Sequence, residues 1–534
     1  MMLREIKITL IQTLRNHRLL AIVLLSAVAI YVLFPLQLQS GEPYNYASAI
    51  EKYYRNSLGF SLAQGNYLPD FGRYHPNHPL GHAIAGWAFD WLKIPAMSWI
   101  RLVNTIGSLA AAIFFYIILL RLQFSKSMAV VAVAFFMATY VALFTVLSGE
   151  WHIPALALSL AGIWQVFIYI EEGTKRSLYR ASFLLALATS YHLVALFYLV
   201  PIGLVLLFVR PIKDRWRELL IAGFGFLLLV LSVYVLVPVL LFQLYSAEDF
   251  LRTFFVYKYL THVRYSGFEW IIAAARTIFH TCFYTPGKLK GIDYFVAFFF
   301  VSLFFAYWKF YRSGIRRSVK AIILLTPIWW VFTHLLTGAR PDGLLGWMFV
   351  LPFICLILVS AFANLHPRAI RFLVFLPILT LVWNLMLAIL PNSFSKRENI
   401  FYFNIPERIP KTTPVAFVVS NPLLMENEIW YAGSELGMRN QMHFMPCCGE
   451  NNYYSRLKHW AHANPGFILV ADGRHTAMEN FLQTEGLNYK RWTDRRGDWP
   501  SSLVPMTLNV QRNAPSKYEK TLTIWVPTDL LRYR

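Results

Sequence analysis

Apolar runs close to 20 residues long recur along the first 390 positions of this 534-residue chain, and they constrain its fold more than any other feature. A helix needs about 20 apolar residues to cross roughly 30 Å of hydrocarbon. The runs place spans at about 19–38, 99–120, 128–147, 153–170, a tight pair within 181–209, then 218–242, 291–308, 321–337, 344–363 and 372–390. That is about eleven transmembrane helices. Only 14% of residues are charged, against roughly a quarter in a soluble protein, and mean hydropathy is +0.47. No small-residue cleavage site follows Leu19–Leu38, so that run reads as a retained anchor rather than a signal peptide.

The net charge of +21 would suit nucleic acid, but the positive residues are placed for a different purpose. The alternate connections 1–18, 121–127, 171–180, 210–217, 309–320 and 364–371 hold 20 Lys and Arg in 63 positions. The opposite-side loop 39–98 holds four, at Lys52, Arg55, Arg73 and Lys93. Basic residues stay on the cytoplasmic side during insertion, so the asymmetry puts the N-terminus inside. An odd number of spans then puts the C-terminal part outside. The pair within 181–209 is short for two helices, but Arg180 and Arg210 flank both ends, which suits two tilted helices meeting near Tyr191–His192.

Composition changes near Pro391, where polar residues, Pro and Asn rise. The runs 414–420, 467–471, 504–510 and 521–526 read as strands among helix-compatible sequence, giving an α/β domain of roughly 130 residues. The expected organisation is an all-α polytopic membrane domain over 1–390, with outer loops 39–98 and 243–290, and a soluble extracytoplasmic α/β domain over 391–534. The four cysteines, Cys282, Cys355, Cys447 and Cys448, lack the paired motifs of a zinc site.

The two outer loops carry the chemistry. Glu42 lies just past the end of the first span, at the depth of lipid headgroups, where it either meets a lipid-linked phosphate or simply ends the helix in water. His75, His78 and His82 fall within eight residues, interrupted by Pro76 and Pro79, at the entry to a helix running through about residue 92. Imidazoles at that spacing either share a divalent cation or hydrogen-bond at a membrane interface. Glu150 and His152 follow the third span, where they cap the fourth helix or face a substrate. His192 lies amid apolar sequence and reads as a satisfied interior group, although ionisable residues inside a membrane carry a functional presumption.

Gly41-Glu42-Pro43-Tyr44 after the first span, Asn77-His78-Pro79-Leu80-Gly81 before the second, and Ser148-Gly149-Glu150-Trp151-His152 between the third and fourth form an ordered set. This set resembles the C-type superfamily of membrane glycosyltransferases, which includes the protein O-mannosyltransferases and the lipid A aminoarabinose transferases. Relatives in that superfamily carry an Asp-Glu pair in the first loop, with the Asp as proposed base. Here Gly41 stands in its place, leaving Glu42.

The resemblance implies transfer of a sugar from a polyprenyl-phosphate donor to a glycan, lipid or protein acceptor on the outer face. A carboxylate must take the acceptor's proton while a positive group steadies the leaving phosphate. Glu42 is the candidate base, and His75, His78, His82, Glu150 and His152 are candidate substrate contacts. Arg340, Lys258 and Arg264 are candidate phosphate partners, since an Arg fork donates two parallel hydrogen bonds. Their bland readings are a snorkelling Arg340 paired with Asp342 and a solvated loop face at Lys258 and Arg264. The setting implied is a bacterial inner membrane. A transporter or flippase, which would show inverted repeats and broken helices, and a non-catalytic assembly protein are the alternatives.

Overall fold

The computed structural model describes residues 17–34, 47, 50–51, 78–209, 215–236, 267–285, 291–337, 344–362, 373–390, 412–419, 442–446, 453–472, 475–492 and 522–531. Two compact units divide the chain, one of residues 1–36 and 54–390, the other of residues 37–53 and 391–534.

The first unit is helical. Among the described residues four helices, Ala96–Arg121, His152–Glu172, Trp216–Leu236 and Ile292–Tyr311, are long and apolar enough to cross a membrane. Lys126–Ala138 and Tyr140–Ser148 make a further span if counted together, although they bend by 57° where they meet. Shorter apolar helices cover Arg18–Leu33, Leu193–Phe208, Leu351–Ser360 and Phe375–Ile389. Helix His152–Glu172 lies at the centre, nearly all buried. Trp216–Leu236 and Ile292–Tyr311 instead expose stripes of large apolar side chains, among them Leu220, Phe224 and Leu228 on the first and Phe295, Phe298 and Phe304 on the second. In water such patches would drive association. Against lipid tails, which are as apolar as leucine, they cost nothing. Close packing inside comes from small residues. A Cβ on Gly107 would lie 3.0 Å from the Pro154 backbone, so the helices Ala96–Arg121 and His152–Glu172 meet at a distance only glycine allows without adjustment.

Three features differ from the expectations above. The connection 171–180 is already helical from Lys175, because helix Lys175–Tyr191 extends past the apolar run that marked it. The segment 243–290, expected as a loop, contains a helix, Gly267–Cys282, whose end buries Cys282. The chain breaks at His192, where two tilted helices were expected to meet, and also at Thr139, where a single uninterrupted span was expected. At the first break Thr139 is extended (ψ 151°), and its hydroxyl donates to the Phe136 carbonyl at 2.6 Å. The Ala138 carbonyl freed there accepts from Asn384 Nδ2 at 2.9 Å. Asn384 Nδ2 also donates to the Cys282 carbonyl at 2.9 Å, and its Oδ1 accepts from the Tyr284 N–H at 2.8 Å. One buried amide thus ties three segments, and a broken backbone in an apolar interior is tolerated only when its groups are satisfied in this way.

The second unit holds a five-stranded sheet in the order β2-β1-β3-β5-β4, with β1 Val415–Val419, β2 Met442–Pro446, β3 Ile468–Asp472, β4 Tyr489–Trp492 and β5 Leu522–Pro527. The strand β1 runs parallel to β2 and β3, whereas β5 is antiparallel to β3 and β4. Helices Tyr453–Ala463 and His475–Thr484 contribute Leu457, Met478, Phe481 and Leu482 to a core shared with Val418, Phe467, Leu469 and Trp525. The runs 414–420, 467–471 and 521–526 coincide with β1, β3 and β5, while 504–510 lies outside the described residues. The two strands the sequence did not announce, β2 and β4, are the sheet's edges. Strand β4 is four residues with two basic ones at its centre, and β2 is interrupted by His443 and ends on Pro446, so neither presents the continuous apolar run of a buried strand.

Candidate functional site

Pro79 opens helix Pro79–Leu92 at its first turn, where the missing N–H costs nothing and the fixed φ is already helical. His78 precedes it, and His82 lies one turn on, its N–H bonded to the His78 carbonyl at 3.2 Å. The two rings stack 5.5 Å apart at 18°, and both side chains are buried. The i, i+4 spacing therefore does put them on one face.

A second wall comes from the junction after helix Tyr140–Ser148. Gly149 ends that helix with φ at 94°, and the Glu150 N–H closes back on the Thr145 carbonyl at 3.1 Å. Glu150 and Trp151 are fully buried, and His152 begins the next helix with Trp151 at its N-cap position. Glu150 thus stands before the helix rather than in its first turn. Trp151 lies 5.7 Å from the His82 ring and 5.9 Å from Tyr191. It passes so close to Gly81 that a Cβ there would lie 3.0 Å from its ring.

The third wall is the break at His192. The His192 backbone is extended (φ −154°, ψ 120°), and its Nδ1 accepts from the Val194 N–H at 3.2 Å, capping the turn that follows. Its ring lies 5.0 Å from His78 and 4.1 Å from His152. Phe349 closes the end, 6.0 Å from His192 and 6.2 Å from His152. The result is a ladder of four buried imidazoles, His82, His78, His192 and His152, drawn from three segments, with Glu150 two residues before its last member.

Such an arrangement can hold, donate or accept protons away from bulk water, because each neutral imidazole carries one donor and one acceptor nitrogen. The Nδ1 of His152 has no hydrogen-bond partner among the described residues. Only the His78 and His82 rings stack, the others being tilted, and among the described residues no group of three or more His, Cys, Asp or Glu is arranged to hold a metal.

Of the residues singled out from the sequence, the structure brings His78, His82, Glu150 and His152 into one region. Glu42, His75, Lys258, Arg264 and Arg340 lie outside the described residues, as do Cys447 and Cys448. His192, which the sequence leaves as either a satisfied interior group or a functional one, lies between His78 and His152. Its signal is topological, since the run 181–209 is too long for one span and is flanked by Arg180 and Arg210, which puts a junction near Tyr191–His192.

No family model and no curated protein matches the sequence. Solved structures do resemble it. ArnT from Cupriavidus metallidurans bound to undecaprenyl phosphate superposes with a TM-score of 0.58 at 11% identity, over 89% of this chain and 96% of that one. The apo form of the same enzyme gives 0.57 at 11% identity over the same shares. The oligosaccharyltransferase of Archaeoglobus fulgidus in its apo form gives 0.46 at 13% identity, over 90% of this chain and 73% of that one. The chain shares the fold of ArnT.

Proposed function

We propose that this chain is a membrane glycosyltransferase that moves a hexose or pentose from a polyprenyl-phosphate donor to an acceptor on the extracytoplasmic face. The observation that carries the reading is the buried meeting of His78, His82, His152 and His192 beside Glu150, in a fold shared with an enzyme crystallised with undecaprenyl phosphate. The proposal includes about eleven spans, a cytoplasmic N-terminus, an extracytoplasmic α/β domain over 391–534 and a bacterial inner membrane. The acceptor is a glycan, lipid or protein.

In this reading Glu42 takes the proton from the acceptor's nucleophilic group as that group bonds to the anomeric carbon. The bond from that carbon to the phosphate oxygen breaks, and the carrier phosphate leaves with the electron pair. Arg340, Lys258 and Arg264 steady its charge. His75, His78, His82, Glu150 and His152 contact substrate, with a divalent cation compatible with the chemistry but assigned no ligand set.

A transporter or flippase is the second reading, favoured by the helix breaks at Thr139 and His192. At Thr139, however, Asn384 fills the break, which suits a structural joint better than an ion path. The deciding experiment supplies the purified chain in lipid nanodiscs with a polyprenyl-phosphate sugar. Release of free carrier phosphate, with the sugar appearing on an acceptor, is expected. Movement of intact donor across the bilayer without cleavage would favour the transporter and end the transferase reading.

A further inference from the structure

Helices Tyr453–Ala463 and His475–Thr484 of the second unit border a groove of about 410 Å³. Tyr454, Ser455 and Lys458 line it from the first helix, Asn480 and Thr484 from the second, and Glu485 from just past the second helix's end. Tyr454 keeps 38% of its surface exposed while its ring lies 6.5 Å from Phe481, which belongs to the buried core. The aromatic pair therefore joins an open apolar floor to the interior. Lys458 is paired with Glu485 at 2.9 Å, and His462 approaches the same carboxylate at 3.3 Å, so charge at that end is compensated internally. Ser455, Thr484 and Asn480 add two hydroxyls and one amide to the lining, a mixed set of donors and acceptors.

We infer that this groove binds a pyranose ring of a glycan. A pyranose presents an apolar face of C–H groups and a girdle of hydroxyls that both donate and accept. It needs a flat apolar surface beside neutral polar side chains, and this groove supplies both. The volume falls in the range of about 300–1,000 Å³ typical of small-ligand sites, which are mostly apolar with a few placed polar groups. Other ligands fit less well. A phosphate or nucleic acid calls for an uncompensated cation, and Lys458 is tied to Glu485. An extended peptide calls for an open sheet edge, whereas the groove's walls are helices whose backbone is already bonded. This site belongs to the second unit alone and stands whether or not the transferase reading holds.

The test uses the full chain in nanodiscs and saturation-transfer NMR with the methyl pyranosides of glucose, mannose, galactose and N-acetylglucosamine. At least one should bind with a dissociation constant near 1 mM, about −4.1 kcal/mol. Tyr454→Ala should weaken it about tenfold or more, and Asn480→Ala, a change at an exposed position, should also weaken it. Tyr454→Phe, which keeps the ring, should retain binding. His192→Phe, in the other unit, should leave it unchanged, which separates this groove from the transferase site. The inference is overturned if none of the four glycosides receives saturation, or if Tyr454→Ala and Asn480→Ala both bind as the parent chain does.

Discussion

His152 and His192 place their rings 4.1 Å apart, although 40 positions separate them in the chain. One begins a buried helix and the other marks the break between two helices, so the contact exists only because both interruptions face the same point. His192→Phe keeps the flat ring and the packing against Phe349 while removing both nitrogens. If the ladder handles protons or substrate, turnover per folded molecule in the carrier-release assay should fall by about 10², while stability drops by only about 1–3 kcal/mol, the cost of the lost acceptor for the Val194 N–H. A variant that unfolds early yet turns over normally per folded molecule would make the ladder a packing device.

Asn384 offers the sharpest structural test. Asn384→Ala leaves the Ala138 and Cys282 carbonyls and the Tyr284 N–H without the partner seen here. Each buried polar group left unsatisfied costs about 1–3 kcal/mol, so the variant should lose about 2–4 kcal/mol, allowing for partial relaxation. Asn384→Asp keeps the acceptor for Tyr284 but loses both donors, and should be no better. Thermal unfolding of the purified chain in detergent reads the effect. A loss under about 0.5 kcal/mol would mean that other groups satisfy the break at Thr139.

These two residues also show what the sequence could and could not reveal. Apolar length and the basic connections made a polytopic helical body legible, because both follow from lipid and insertion physics alone. The i, i+4 pair His78 and His82 was legible from local spacing. His192 was not, because its neighbours in space lie more than 100 positions upstream at His78 and 40 upstream at His152. Nothing in its apolar surroundings encodes either contact. Asn384 was equally silent, since a lone amide in a span gives no hint of which broken backbone it will satisfy. In the second unit, β1, β3 and β5 were legible as apolar runs, whereas β4 carries two basic residues in four and β2 is interrupted by His443 and ends on Pro446.

Glu485 sets a pH dependence in the second unit. Its hydrogen bond from Lys458 holds the carboxyl below the usual carboxylate range, with partial burial opposing and the charges of Lys458 and His462 adding. A carboxyl depressed in the folded state stabilises fully above its unfolded value of about 4.3. That contribution is lost as pH falls through the lower folded value. Glu485→Gln should therefore speed amide hydrogen exchange across 453–485 in the full chain at pH 7, and the difference should shrink toward pH 3. An effect that grows on acidification would reverse the sign and refute the assignment.

Glu42 bears the weight of the catalytic claim. Glu42→Gln keeps the shape and hydrogen bonding of the side chain but removes the proton acceptor. Positioned acid–base groups contribute about 10²–10⁴-fold in rate, so carrier release should collapse while donor binding changes little. Arg340→Ala should behave differently, weakening donor binding and slowing turnover together, because a phosphate partner acts in both the ground and transition states. His78→Ala should cause a smaller loss, through the entry to helix Pro79–Leu92. Glu51→Gln, at a partly exposed nearby acid, serves as the control and should leave turnover intact. Near-normal turnover in Glu42→Gln, with abolition in an Asp70 or Glu150 variant, would move the base to that residue. If none of the three carboxylates matters, acid–base sugar transfer is the wrong chemistry, and the helix breaks at Thr139 and His192 become the leading clue to what the chain does.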